Sequence, residues 1–519
     1  MKDRIPTLPS RFSRLRHFLL CLGFAVPALL QAQTAVVSSG SEFTAVVDPS
    51  GNLFTYGANG SGQLGVPDAG AFSAGVQLVE PTGDWETVSA SKTGDSTGHV
   101  LAIRDGDLYA WGSNERGQLG LGDTEQRDSP TLVDNTQTWV EVAAGADFSI
   151  GRTATGAVWV WGDNTQGQLA RTIFNNASVD IELSPVPFEL GETYRSIAAG
   201  PRVGLAVRDD GALFAWGFSV NLQLGQPRNS PGAEITGPAT EPQRIGTSLA
   251  WTEVFAGRTI CFGLRDGELY TWGAGGHTGV GFSPYTPARV GNADDWATVA
   301  IGAGHTLGLR EDGSLYGWGD NNQGALGLKQ RTPSGEILTD NFFKTFPTAL
   351  QTDSTFLAVG AGADFSAIYS SEQFLLSAGI NDRGQLGNGT SSDSGFQDFF
   401  NNSTLGLADL VAVSATTTTP EPSPGGTLDA NVFLRNEGTG TITTDFELAA
   451  VLSPTPDRHR RHRARGRNQP RGDPVVTAER GQRQLFSGGA RGCERGADRG
   501  NDRQQRRGEP RRTGEKTRF

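Results

Sequence analysis

Outside its two ends the chain carries three histidines, His99, His277 and His305, and a single cysteine, Cys261. Acid–base or nucleophilic catalysis needs such groups to converge, and these are scattered. His99 and His305 occupy the same place in a repeated pattern, which predicts a structural role for both, while His277 falls in a variant turn. Cys21, Cys261 and Cys493 are too far apart for a CxxC metal site or a disulfide framework, and zinc needs clustered ligands. Asp163-Asn-Thr-Gln-Gly167 and Asp320-Asn-Asn-Gln-Gly324 have the oxygen-rich look of calcium loops. They lack the bidentate Glu at the spacing of an EF-hand, and each coincides with a turn of the repeat. No phosphate loop, Gly-x-Ser-x-Gly elbow or HExxH motif is expected. The expectation is a protein that is not an enzyme and holds no cofactor or metal. What the sequence does offer is contact surface. Asn341-Phe-Phe-Lys-Thr-Phe346 and Gln397-Asp-Phe-Phe400 place paired aromatics in connections. Phe342, Phe343, Phe346, Phe399 and Phe400 are therefore the candidate binding residues, because exposed aromatics anchor interfaces. The competing expectation is that they pack onto the body of the protein.

The elements that position these residues follow from composition. The 519 residues include 71 glycines, about twice the usual 7 %. Each interior Gly costs a helix about 1 kcal/mol, so short strands and tight turns are favoured over helices. The formal net charge of −12 hides a split. Residues 458–519 hold 19 of the 44 basic residues and 7 of the 56 acidic ones, a net of +12, which leaves −24 on residues 1–457. An acidic body argues against polyanionic partners, so no nucleic acid is expected on it.

An aromatic-Gly pair recurs at Tyr56-Gly57, Trp111-Gly112, Trp161-Gly162, Trp216-Gly217, Trp272-Gly273 and Trp318-Gly319, with a degenerate seventh at Ala378-Gly379. The mean step is about 54 residues, the length of a supersecondary repeat. Each copy opens on an aromatic and a small apolar strand, as in Trp139-Val-Glu-Val-Ala-Ala-Gly145. A second strand such as His305-Thr-Leu-Gly-Leu309 follows. Asp-Gly then turns the chain at Asp105, Asp210, Asp266 and Asp312, as suits a two-residue hairpin with φ > 0 at both positions. The third strand alternates, as in Asp107-Leu-Tyr-Ala-Trp111, and leads to a Gly-Gln-Leu-Gly turn at Gly62, Gly117 and Gly384 with variants elsewhere. Prolines such as Pro130, Pro242, Pro287 and Pro347 mark a fourth strand that starts there or lies at a sheet edge. Four strands in seven copies describe an all-β, seven-bladed β-propeller whose blades bury a core only against one another.

These motifs, in this order over about residues 34–405, resemble the regulator-of-chromosome-condensation repeat. The resemblance implies a seven-bladed propeller. It also brings family precedents: guanine-nucleotide exchange on a small nuclear GTPase, and a secreted bacterial inhibitor that clamps β-lactamase with one propeller face. The strand-two His of the family stands only at His99 and His305, with Phe43, Phe148 and Phe365 in other copies, and the seventh copy lacks its Trp and its Asp-Gly.

The flanks read differently. Lys2, Arg4, Arg11, Arg14 and Arg16 precede an apolar run, Phe18 to Leu30, and Leu30-Gln-Ala32 suits cleavage. Residues 1–32 read as a secretory signal peptide, with the propeller over 33–405. The expected location is secreted, periplasmic or at the cell surface. Residues 406–457 resemble the start of a bacterial cell-adhesion-related (CARDB) domain, on the strand Ala408-Asp-Leu-Val-Ala-Val413 and the alternation of Leu428, Ala430, Val432 and Leu434. That implies an incomplete immunoglobulin-like β-sandwich. Residues 458–519 start abruptly with Arg458-His-Arg-Arg-His-Arg-Ala-Arg465 and read as a frame-shifted or disordered tail. Its Arg-Gly pairs also leave nucleic-acid binding open. The expected function is a secreted, monomeric, adhesion-like binding protein, its partner a protein or surface polysaccharide. The alternatives are an enzyme inhibitor, an exchange factor and a polysaccharide-active enzyme.

Overall fold

The computed structural model describes residues 34–404, except 81–82, 95–96, 174–179, 190, 219–220, 227–237, 329, 332–336, 339–342, 351–353 and 392–399. It also describes strands at 410–417, 430–436, 451–452 and 476–477. Seven four-stranded antiparallel sheets are built in sequence order from Val36 to Thr404. Blade 1 opens with Val36–Ser39, blade 2 with Trp85–Ala90, blade 3 with Trp139–Ala144 and blade 4 with Tyr194–Ala199. Blade 5 opens with Trp251–Ala256, blade 6 with Trp296–Ile301 and blade 7 with Phe356–Ala361. Every sheet takes all four strands from one contiguous stretch. Because strand direction alternates, one face of the ring carries the turns from first to second strand and the connections from third to fourth. The opposite face carries the Asp-Gly hairpins and the links to the next blade.

Seven hydrophobic clusters fill the seven seams between blades. In five of them the third-strand indole crosses the seam. Trp111, Trp161, Trp216, Trp272 and Trp318 are fully buried, and each Nε1 donates to a backbone carbonyl in the turn of the preceding blade. The acceptors are Gln63, Gln118, Gln168, Gln223 and His277, at 2.7–3.0 Å. This explains the pairing of Trp-Gly with Gly-Gln-Leu-Gly in the sequence. The Gln side chain folds back to accept a backbone N–H of its own turn, as Gln118 Oε1 does from Arg116 at 2.8 Å. The Asn five residues before the Leu closes the same turn: Asn114 Oδ1 accepts the Leu119 N–H at 2.9 Å. The Gly after the aromatic is obligatory. Gly162 has φ +99°, and a Cβ there would lie 2.6 Å from the Asp147 carbonyl oxygen.

The hairpins divide into two kinds. Asp105-Gly106 and Asp266-Gly267 have positive φ at both residues, as two-residue loops require. At Asp210-Gly211 and Asp312-Gly313 only the Gly has positive φ. The loop there is one residue longer, and the Asp accepts the N–H of Ala212 or Ser314. The second strand ends in Arg before these turns. Arg104, Arg265 and Arg310 lie over the first-strand Trp85, Trp251 and Trp296 at 4.1–5.5 Å, and over Tyr109, Tyr270 and Tyr316 at 4.0–4.6 Å. The fourth strands are edge strands, with Pro130, Pro242 and Pro347 inside them and not at their start.

The ring closes between blades 7 and 1 without strand exchange. Ala35, Val37, Val46, Tyr56, Ala358, Ala367, Tyr369 and Leu375 pack across that seam. The Ala363 N–H donates to the Ser41 carbonyl at 2.9 Å, and Gly75 forms an isolated bridge with Asn388. Tyr56 replaces Trp here, and burial raises the pKa of its hydroxyl.

A separate unit holds an antiparallel pair, Leu410–Thr417 with Ala430–Asn436, and a short pair, Val451–Leu452 with Val476–Thr477. The remaining strands of the expected sandwich, and nearly all of the leader and the Arg-rich tail, lie outside the described residues. No helix among the described residues is long and apolar enough to cross a membrane.

Candidate functional site

The histidines are built into seams. His99 Nε2 lies 3.0 Å from Ser149 Oγ in blade 3, and His305 Nε2 lies 2.9 Å from Ser366 Oγ in blade 7. Both are buried, and burial pulls their pKa values down to about 3. His277 is buried too, held down to about 4 by desolvation and then by the charge of Lys92. Its carbonyl accepts the Trp318 indole. Cys261 is buried, and desolvation raises its thiol, which makes it an unreactive core residue. The two oxygen-rich loops use their polar atoms internally. Asp163 Oδ2 accepts from Thr165 Oγ1 and Gln168 Nε2, both at 2.7 Å, and Asn321 Oδ1 accepts from the Leu326 N–H at 2.8 Å. Among the described residues no three His, Cys, Asp or Glu side chains gather around a common point.

One motif runs against the expected absence of a Gly-x-Ser-x-Gly sequence. Gly94-Asp-Ser-Thr-Gly98 has the Gly-x-Ser-x-Gly form. It lies between the first and second strands of blade 2, whereas a nucleophile elbow joins a strand to a helix. Asp95 and Ser96 lie outside the described residues.

Two carboxylates, Glu141 and Glu253, stand on the first strands of blades 3 and 5. Glu141 of blade 3 is ion-paired with Arg152 at 2.7 Å and accepts the Ile197 N–H at 3.1 Å. Glu253 of blade 5 is exposed on its strand, yet desolvation among the inner strands and then the charge of Glu141 push its carboxyl up to about 7. It keeps its proton longer folded than unfolded, so it adds stability below its ordinary pKa of 4.5 and loses it as pH rises through 7. Glu253→Gln is expected to raise the melting temperature at about pH 8 and leave it unchanged at about pH 4. Thermal melts of both proteins at the two pH values check this, and an equal shift at both would refute it.

The aromatic candidates separate. Phe342 and Phe399 lie outside the described residues, and Phe400 opens the fourth strand of blade 7. Phe343 and Phe346 lie on the fourth strand of blade 6 and are 46 % and 59 % exposed. They are not isolated. A Cβ on Gly276 would lie 2.6 Å from the Phe343 ring, and one on Gly281 would lie 3.4 Å from the Phe346 ring. Both rings therefore rest on the blade 5 turn, whose Phe282 is 59 % and Tyr285 39 % exposed. One edge of each ring packs against that turn and the rest stays open. Sequence reading missed Phe282 and Tyr285 because neither is in a paired-aromatic run.

Two models of the regulator of chromosome condensation (RCC1) repeat match the chain, one at residues 105–151, 210–264 and 312–369, the other at 139–168 and 296–325. The mouse E3 ubiquitin-protein ligase HERC2 is 28 % identical over 318 residues, 58 % of this chain but only 6 % of HERC2. The ultraviolet-B receptor UVR8 of Arabidopsis thaliana is 31 % identical over 312 residues, 57 % of this chain and 66 % of UVR8. The chain thus spans less than two thirds of either relative. Among solved structures, Prp20p of Saccharomyces cerevisiae superposes with a TM-score of 0.54 at 21 % identity, over 67 % of this chain and 83 % of that one, a likeness of fold. Repeat matches and blade geometry agree: this chain carries regulator of chromosome condensation repeats folded as a seven-bladed β-propeller.

Proposed function

We propose that this chain is an exported, non-catalytic binding protein that holds a protein or cell-surface partner on the rim of blades 5 and 6. In this reading residues 1–32 direct export, 33–405 form the binding body, and 406–457 begin an adhesion-type sandwich. The observation that carries it is the open aromatic group of Phe282, Phe343 and Phe346 on adjoining blades, since clustered aromatics supply most of the energy of an interface. Relatives support the class of role. The Prp20p structure is described with binding to Gsp1p and histones, a protein-binding use of the same fold. A polysaccharide-active reading would draw on Glu141 and Glu253. Glycoside hydrolysis uses two available carboxyl groups, and here Glu141 is committed to Arg152 and the Ile197 N–H.

The test is capture from culture supernatant and envelope fractions on the immobilised full chain. Phe343→Ser/Phe346→Ser is expected to lose about tenfold or more of the captured partner. Leu249→Ser, at an equally exposed site (56 %) in the link between blades 4 and 5, is expected to keep it. Equal capture by the Phe variant and the wild type would overturn the assignment of this surface.

A further inference from the structure

Two cationic side chains reach across the ring axis on the face that carries the first-to-second turns. Lys92, in that turn of blade 2, donates from Nζ to the Ile301 carbonyl of blade 6. Arg258, in that turn of blade 5, lays its guanidinium along the blade 2 turn, where a Cβ on Gly94 would lie 3.6 Å from its Nη1. Neither contact is between neighbouring blades, so both side chains converge on the axis.

Around them is a small open recess of about 40 Å³, with Gly40, Gly94, Gly302 and Gly362 in its wall. Glycines leave the space unfilled, and among the described residues none that lines it is acidic. Ser41, also in the wall, accepts the Gly94 N–H on its Oγ at 2.7 Å, which leaves its own hydroxyl proton free to donate. Among the described residues the Arg258 guanidinium has no hydrogen bond and no ion pair; only its carbonyl is engaged, by Gln223 Nε2 at 3.2 Å. Burial alone acts on Lys92, lowering it to about 8, and no carboxylate offsets this.

Both cations line the same recess, and no described acidic residue stands in its wall to neutralise them. The body as a whole is strongly acidic, so this local excess of positive charge runs against the average. A planar guanidinium fork binds the paired oxygens of a carboxylate or phosphate, and an ammonium adds a compact charge beside it. We propose that the axial recess is a binding site for a small oxyanion, a carboxylate or phosphate group, held by Arg258 and Lys92 with the Ser41 hydroxyl as a further donor.

Calorimetric titration of the full chain with inorganic phosphate and, separately, with succinate tests this, against chloride at matched ionic strength. Saturable binding of at least one of the two is expected, and which one binds separates phosphate from carboxylate. Arg258→Gln is expected to weaken it about tenfold or more, and Lys92→Met likewise. Arg258 is exposed, so its variant keeps the fold, which circular dichroism verifies. Arg244→Gln, a cation on the fourth strand of blade 4, is expected to bind as the wild type does. No saturable heat with either anion, unchanged affinity in Arg258→Gln, or equal weakening in Arg244→Gln would each overturn the proposal.

Discussion

Truncating Trp161 to alanine is expected to destabilise the propeller by about 3–5 kcal/mol, the range for removing a large aromatic from a packed core. The indole is fully buried in the seam of blades 2 and 3, edge-on to Trp139 at 6.2 Å, and its Nε1 donates to Gln118 at 2.9 Å. Most of the loss is packing, because the Gln118 carbonyl keeps a second donor, Ser149 Oγ at 2.7 Å. Trp161→Phe separates the two contributions: it retains much of the volume and removes the indole donor, so about 1 kcal/mol beyond the volume change is expected. Urea denaturation of the three proteins measures this. A loss under about 1 kcal/mol for Trp161→Ala would mean that the seam is not held by its indole. Nature supplies a comparison in blade 7, where Ala378 stands at the Trp position. The seam of blades 6 and 7 is filled instead by Leu307, Leu309, Leu315, Leu326 and Leu350 with Phe356, Val359 and Ile368.

The second large effect is a loss of stability in mild acid. His99, His277 and His305 titrate at about 3 to 4 in the folded protein, against an ordinary 6.5. The unfolded chain therefore binds protons that the folded one refuses, and stability rises with pH from about 4 to 6.5 and is complete above it. Each pKa unit is worth about 1.4 kcal/mol, so the three groups together amount to several kcal/mol on the order-of-magnitude scale. Glu253 works in the opposite direction between 4.5 and 7 and softens the slope. The variant His99→Phe/His305→Phe isolates the effect, because Phe43, Phe148 and Phe365 already fill the same repeat position, buried, in blades 1, 3 and 7. It is expected to fold at neutral pH and to melt with a much flatter dependence between about pH 4 and 6.5. An unchanged slope would assign the acid loss to other groups. Carboxylates with lowered pKa, such as Asp210 beside Arg208, lose their contribution only at lower pH.

The fold was legible because the repeat writes its own contacts into the sequence. Trp161-Gly162 and Gly117-Gln-Leu-Gly120 lie far apart in the chain, yet they are two halves of one hydrogen bond, and their co-occurrence marks a seam. The Asp-Gly turns were legible only in part: Asp105 and Asp210 precede the same Gly, but one more loop residue in the latter changes the backbone geometry. The candidate surface was less legible. Phe343 and Phe346 announced themselves as an aromatic run. Phe282 did not, since what joins it to them is the packing of blade 6 on blade 5, which no local pattern encodes. Lys92 and Arg258 were invisible for the same reason. They stand in corresponding turns of two blades three apart, and only closure of the ring brings them to one axis.

That closure has a mechanical consequence. Within a blade, adjacent strands share ladders of backbone hydrogen bonds, and tension along the strands loads such a ladder in parallel. Between blades 7 and 1 there is no shared ladder, only side-chain packing and isolated hydrogen bonds. A pull applied at Val36 and Thr404 would reach those contacts one after another, as in peeling. No seam of the ring has a shared ladder, but the chain itself ties every other pair of neighbouring blades, so a propeller tethered at both ends would open between its first and last blades while each blade kept its sheet.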